Sequence, residues 1–266
     1  MSAAMDADLG APVRTSRDQR GVVTLTLDRP RSFNALSEAM LAALQAEIDA
    51  IAGDETARAV VIAAEGKAFS AGHDLKEMRA EPSQAYYEAL FAQCARMMLS
   101  LQRLPVPVIA RVQGIATAAG CQLVAACDLA VAADGARFAV SGVNLGLFCS
   151  SPSVPLVRNV ARKPAFEMLV TGEFISADEA RARGLVNRVA SMEALDGAVE
   201  SLVAAIVAKP RSAIALGKAL FYRQIERGSE AAYEDAARTM AGNMMEADTL
   251  EGVQAFIDKR KPDWQR

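Results

Sequence analysis

The chain has 266 residues, 52% of them hydrophobic and 23% charged, with a formal net charge of -3. That supports a sizeable single core, and the absence of a basic excess argues against a nucleic-acid binder. Cys94, Cys121, Cys127 and Cys149 form no CxxC pair and His73 is the only histidine, so no metal centre is expected and the cysteines read as reduced, mostly buried thiols.

No apolar run reaches the ~18 residues that a membrane-spanning helix needs. The first residues carry two aspartates and no apolar core. Residues 1–12 therefore read as a flexible tail rather than a targeting peptide, and a cytoplasmic location is expected.

In chain order, VVTLTL at 22–27 alternates and reads as a strand, with Gly21 turning in from a short preceding strand. Ser37 caps a helical stretch that ends at Gly53. AVVIA at 59–63 is a short apolar run and reads as a buried strand. A helix is expected around 83–104. VPVIARV at 106–112 reads as another strand, with Pro107 placing its start near an edge or bend. A helix over 119–127 then leads into a strand at 129–132. This alternation argues an α/β fold. Beyond about residue 152 strands nearly vanish, and helices are expected near 153–170, 176–183, 192–208, 210–226, 229–246 and 249–259. The chain divides on this reading into a core, 13–205, and a C-terminal helical region, 206–266. No linker rich in Gly, Ser and Pro separates them, so the helices should pack onto the core or onto a neighbouring subunit.

Two loops stand out. KAFSAGHDL at 67–75 follows a strand; Ala71 and Gly72 are small enough for close backbone approach to a ligand, and Asp74 suits a helix cap. VQGIATAAGCQL at 112–123 leaves a strand, turns through 114–120 and enters a helix, whose free N–H groups suit an anion or a developing oxyanion. Either loop alone reads more readily as just a tight turn. Together, both at strand ends, they point to one ligand site.

With these segments the chain resembles the enoyl-CoA hydratase/isomerase, or crotonase, superfamily. The resemblance runs from about residue 13 to 261 and is carried by LDRPRSFNALS at 27–37, KAFSAGHDL at 67–75, GIATAAGCQLVAACDLAVAA at 114–133, GVNLG at 142–146, ISADEARARGLVNRV at 175–189 and EGVQAFIDKRKP at 251–262. It implies a spiral of ββα units with a C-terminal helical trimerisation region, assembled as a homotrimer or homohexamer. It implies an acyl-CoA substrate and no separate cofactor, coenzyme A entering as part of that substrate. No nucleic-acid or membrane partner is implied. The thioester carbonyl would accept hydrogen bonds from the backbone N–H groups of His73 and Ala119. Ala71, Gly72, Asp74, Leu75 and Lys76 would line the CoA path, Arg29 and Phe33 would flank its entrance, and Lys259 would approach the CoA phosphates from a neighbouring subunit.

Where hydratases of this family carry two catalytic glutamates, the matching positions here are Gln122 and Gly142. A positioned acid or base contributes typically about 10²–10⁴-fold in rate, so slow hydration is expected. Three readings follow: a hydratase-like lyase acting on an atypical acyl-CoA, a malonyl-type acyl-CoA decarboxylase, and a non-catalytic acyl-CoA binder. His73 after Gly72 and the hydroxyl of Ser141 resemble decarboxylases of the superfamily, whose tyrosine is replaced here by Cys149. Cys149 is read as a buried inert thiol rather than a nucleophile, Asp128 and Asp134 as structural capping or turn residues, and Glu77 as solvated.

Overall fold

The computed structural model describes residues 10–264. The tail expected at 1–12 lies largely outside them, and its last residues are held in place. Arg29 donates to the carbonyls of Gly10 (2.6 Å) and Ala11 (3.2 Å), and the Asp28 N–H donates to Pro12 (2.8 Å).

The chain begins with β1 (Val13–Arg17) and β2 (Val22–Leu27), antiparallel, with Val13 opposite Leu27. Helix α1 (Glu38–Ala52) starts where the Ser37 hydroxyl accepts from Met40 N–H. Met40, Leu41, Leu44, Ile48 and Ile51 recur at helical spacing and are all buried. Next come β3 (Ala59–Ala64), β4 (Ala68–Ser70), α2 (Leu75–Ala80) and α3 (Gln84–Arg103). A second unit is β5 (Val108–Val112), β6 (Ile115–Thr117) and α4 (Ala119–Ala126). A third is β7 (Leu129–Ala133) and β8 (Arg137–Ala139), followed by a 3-10 turn (Ser141–Leu145), α5 (Ser150–Asn159) and α6 (Arg162–Thr171). The remainder is β9 (Ile175–Ser176), α7 (Ala177–Ala182), β10 (Arg188–Ala190), α8 (Leu195–Val207), α9 (Arg211–Gln224), α10 (Ser229–Met244) and α11 (Ala247–Ile257).

Two sheets result, ordered β1-β2-β3-β5-β7-β10 and β4-β6-β8-β9. Each of three successive units places one strand in the large sheet and the next in the small one, and the pairs β3·β5, β5·β7, β4·β6 and β6·β8 are all parallel. This is the expected α/β spiral. Strands β3 and β7 of the large sheet are apolar on both faces. One face meets α1, α3 and α4 through residues such as Leu25, Leu44, Ile62 and Leu101; Leu195, Val199 and Val203 of α8 pack on the other. A strand covered on both sides needs no polar alternation, which is why all six residues of β3 are buried.

The structure corrects several expectations. β5 is an interior strand, so of the edge or bend expected at Pro107 the bend holds: the chain bends over residues 104–106 and Pro107 just precedes the strand. The Pro107 carbonyl accepts from Val60 (2.8 Å), so the missing N–H breaks no ladder bond inside the strand. The helix expected over 153–170 is two helices, because Val160 and Ala161 adopt extended ψ values of 137° and 149°. The strands β4, β6 and β8 are too short, at three residues each, to show a period in the sequence. β6 occupies part of what reads as a simple turn over 114–120. The expected boundary at 205/206 falls inside α8.

Among the described residues no helix is long and apolar enough to cross a membrane, and no group of three or more His, Cys, Asp and Glu could hold a metal ion.

Candidate acyl-thioester site

The site is organised by Asn34, fully buried and not singled out in the sequence. Its Oδ1 accepts from the Arg29 N–H (2.8 Å), and its Nδ2 donates to the carbonyls of Glu65 (2.8 Å) and Ala68 (2.9 Å). Its own carbonyl accepts from the Ser70 hydroxyl (2.8 Å). Phe33 and Asn34 both adopt left-handed backbone, φ 52° and 51°, a conformation that asparagine tolerates better than most residues. The visible signal was an asparagine after a proline turn. Apart from Arg29, its partners lie 31 to 36 residues away and were not visible.

This network lays residues 33–36 alongside 70–73. The Ala71 N–H donates to Phe33 (3.0 Å) and the Leu36 N–H to Gly72 (2.7 Å). Gly72 has φ +89°, and a Cβ there would sit 2.9 Å from Ala118 Cβ and 3.1 Å from the Ala119 nitrogen. The two loops that the sequence paired therefore touch at Gly72. Ala118 turns the second loop with φ 50° and anchors it by donating to Ala139 (3.0 Å). Ala119, 1% exposed, opens α4. Among the described residues no protein group accepts from the backbone N–H of His73 or of Ala119.

The His73 Nδ1 lies 3.2 Å from the Leu36 carbonyl, and the ring meets Phe91 edge-on at 5.5 Å. Burial lowers the imidazole pKa, partly opposed by that hydrogen bond. Gln122, the fourth residue of α4, is 4% exposed, and its buried Oε1 has no hydrogen-bond partner among the described residues. Ser141 and Thr117 share a hydroxyl–hydroxyl bond of 2.7 Å. The Gly142 N–H donates to Cys149 Sγ (3.3 Å), and a Cβ at 142 would lie 2.5 Å from the Leu147 carbonyl oxygen and 2.8 Å from that sulfur. Burial raises the Cys149 thiol pKa, so it stays protonated at neutral pH.

Asp74 caps α2, accepting from the N–H groups of Lys76 (2.8 Å) and Glu77 (3.3 Å). Leu75, Lys76 and Phe33 are exposed. Glu77, expected to be solvated, is half-buried and accepts from the Glu38 N–H (3.1 Å). Arg29 spends hydrogen bonds on the carbonyls of residues 10, 11 and 28. Lys259 sits just past α11 in left-handed conformation, φ 54°. Asp134 accepts from the Gly135 N–H (2.8 Å), as a turn residue does. Asp128 is structural too, but through long-range contacts: it pairs with Lys218 (2.6 Å) and accepts from Tyr222 (2.7 Å) and the Val108 N–H (2.6 Å). A cleft of ≈ 580 Å³ between the large sheet and α8, lined in part by Thr24, Val61, Arg111 and Asp196, involves none of the two loops' residues.

An α/β spiral with two small-residue loops meeting at strand ends defines a class of ligand-binding folds. The family model described as Enoyl-CoA hydratase/isomerase matches residues 17–266, and the chain belongs to that family. It is 46% identical over 250 residues to the rat protein described as "Enoyl-CoA hydratase domain-containing protein 3, mitochondrial", covering 94% of this chain and 83% of that one. A crystal structure described as an enoyl-CoA hydratase of Mycobacterium smegmatis superposes with a TM-score of 0.95 at 67% identity, over 96% of this chain and 99% of the other. The crystal structure of the human domain-containing protein 3 gives 0.92 at 44% identity, over 95% of this chain and 100% of the other. These likenesses agree with the crotonase fold and its C-terminal helices.

Proposed function

We propose that the chain binds an acyl-CoA thioester, holds its carbonyl oxygen with the N–H groups of His73 and Ala119, and stabilises the enolate that forms there. The observation that carries this reading is the pair of unpartnered backbone donors on two loops in contact at Gly72. Donors fixed before reaction bind developing negative charge more strongly than the neutral carbonyl. Removing one such donor costs about 10²–10³ in rate in a studied oxyanion hole. The CoA moiety would run past Phe33, Ala71 and the 74–76 stretch, whose side chains at Phe33, Leu75 and Lys76 are exposed.

Hydration is slow on this reading, because the positions of the family's two glutamates carry an amide and no side chain. Gln122 can orient a water but cannot take its proton at neutral pH. A malonyl-type decarboxylation is the second reading, favoured by the coupled hydroxyls of Thr117 and Ser141. It yields an enolate without an enzyme base, and no carboxylate at 122 or 142 repels the substrate's own. A homotrimer or homohexamer is part of the proposal, since Phe221, Tyr233, Met240, Leu250 and Phe256 are exposed on the C-terminal helices.

Incubation with enoyl-, 3-hydroxyacyl-, malonyl-type and saturated acyl-CoA thioesters, read by mass spectrometry and calorimetry, tests the proposal. Binding of at least one class is expected, with crotonyl-CoA hydration more than about tenfold below a typical hydratase. Binding without turnover would select the non-catalytic reading, and failure of every thioester to bind would end the proposal.

A further inference from the structure

His73 is the chain's only histidine, and its ring has a defined arrangement. The Leu36 carbonyl has no hydrogen to give, so at 3.2 Å Nδ1 is the donor and carries the proton. A neutral ring protonated at Nδ1 leaves a lone pair on Nε2. Among the described residues Nε2 has no protein partner. The edge-on contact with Phe91 fixes the ring plane, and turning the ring over would break the bond to Leu36. Burial favours the neutral form. The imidazole also hangs from the residue whose N–H is assigned to the thioester oxygen above, which puts it within one side chain's length of the acyl group.

We propose that His73 Nε2 is a hydrogen-bond acceptor for a protic group on the acyl chain, making this side chain a specificity-determining residue that favours hydroxylated acyl-CoA thioesters over saturated ones. The proposal rests on the acyl-CoA reading above. A saturated chain laid over Nε2 would strip water from the lone pair without replacing the hydrogen bond, and a site built around a polar group discriminates against ligands that leave it unpaired. A carboxylate is the wrong partner for a lone pair, because two acceptors meet. The acceptor thus separates a hydroxyl-bearing thioester from the malonyl type, which the Thr117–Ser141 pair alone does not.

A single histidine makes the test direct, since tag-free protein labelled with ¹⁵N in the imidazole gives one pair of ring signals. The free protein is expected to show Nδ1 protonated and Nε2 bare. Adding 3-hydroxybutyryl-CoA should move the Nε2 signal toward a hydrogen-bonded value, and it should bind about tenfold more tightly than butyryl-CoA. His73→Phe keeps the backbone N–H. It should lose the preference, the affinity ratio between the two thioesters falling to about one. A proton on Nε2 in the free protein, equal affinity for the two thioesters, or double protonation of the ring on binding would each overturn the proposal. If neither thioester binds, the acyl-CoA reading falls with it; if one binds and the ring signals stay unmoved, only this inference does. Should the phenylalanine variant fail to fold, the tautomer and the affinity ratio in the parent protein still decide.

Discussion

Helices α4 and α10 belong to one chain and bury opposite kinds of side chain. All eight residues of α4 are buried, and Gln122 is the only polar side chain among them. The single buried residue of the sixteen in α10 is Asp235, while Tyr233 and Met240 are 79% and 71% exposed. The same inversion runs through the C-terminal arm: α9 buries Lys218, and Phe256 on α11 is 86% exposed. The spiral is held by apolar area removed from water. The arm is held to it by a few charged clasps. Lys218 donates to the carbonyls of Leu101 and Val106 (both 2.9 Å) as well as to Asp128, and Arg158 of α5 pairs with Glu226 (2.9 Å); inside the arm, Asp235 of α10 pairs with Arg223 of α9 (2.6 Å) and with Arg227 (3.2 Å). An arm whose apolar faces the spiral leaves uncovered is suited to completion by another surface, as in the oligomer proposed above.

The largest effect should come from the clasp. Lys218→Met keeps the aliphatic stem but leaves Asp128 and two carbonyls without their cation. Lys218 and Asp128 side chains are only 7% and 14% exposed, and breaking a buried pair from one side costs about 3–5 kcal/mol. Urea denaturation should show a loss in that range, with the Lys218→Met/Asp128→Asn double variant losing less than the sum of the singles. A loss under ~1 kcal/mol would mean that the clasp does not hold the arm.

The next effect lies at the site. Gly142→Ala meets a backbone oxygen and the Cys149 sulfur, and overpacking of this kind costs about 1–3 kcal/mol. Gln122→Glu, built on an existing side chain, should be the better tolerated carboxylate. A variant with glutamate at both positions should therefore recover hydration only if residues 147–149 shift. Full hydratase turnover in a double variant as stable as the parent would refute this account of the Gly142–Cys149 contact.

The smallest effect is a pH test with one carboxylate from each region. Asp54 in the spiral is held at about 2, first by the Thr56 hydroxyl and then by Arg17, against an ordinary 3.8. Glu251 in the arm is held at about 2 by Arg260 and the Asp263 N–H, against 4.5. Both folded values are depressed, so each contribution is present above the ordinary value, 3.8 for Asp54 and 4.5 for Glu251, and is lost as pH falls through about 2. Melting curves of Asp54→Asn and Glu251→Gln should differ slightly from the parent at pH 6 and converge on it as pH falls through about 2. If arm and spiral unfold together, both variants shift one transition; two transitions, each shifted by one variant, would separate the regions.

Much of the spiral was legible because periodicity, caps and short apolar runs are local signals: Ser37 capping α1, the alternation of β2 and the unbroken apolar run of β3 are all visible in the chain itself. The two loops were legible as small-residue segments after strands, and the family resemblance named their partners. Asn34 was missed because three of its hydrogen bonds reach residues 65, 68 and 70, 31 to 36 positions along the chain. Asp128 read as a turn residue because its cation, Lys218, lies ninety positions away.

The sequence by itself determined the alternating α/β order, the family resemblance and the residue types at 73, 119, 122 and 142. Those depend on local propensity and on the order of motifs, which a chain carries in one dimension. Only the tertiary structure decided that the loops touch at Gly72, that the His73 ring is turned by Leu36, that Cys149 fills the space beside Gly142, and that the arm is latched by buried charge. Each of these is a close approach between residues distant in sequence, and such contacts exist only once the backbone has folded.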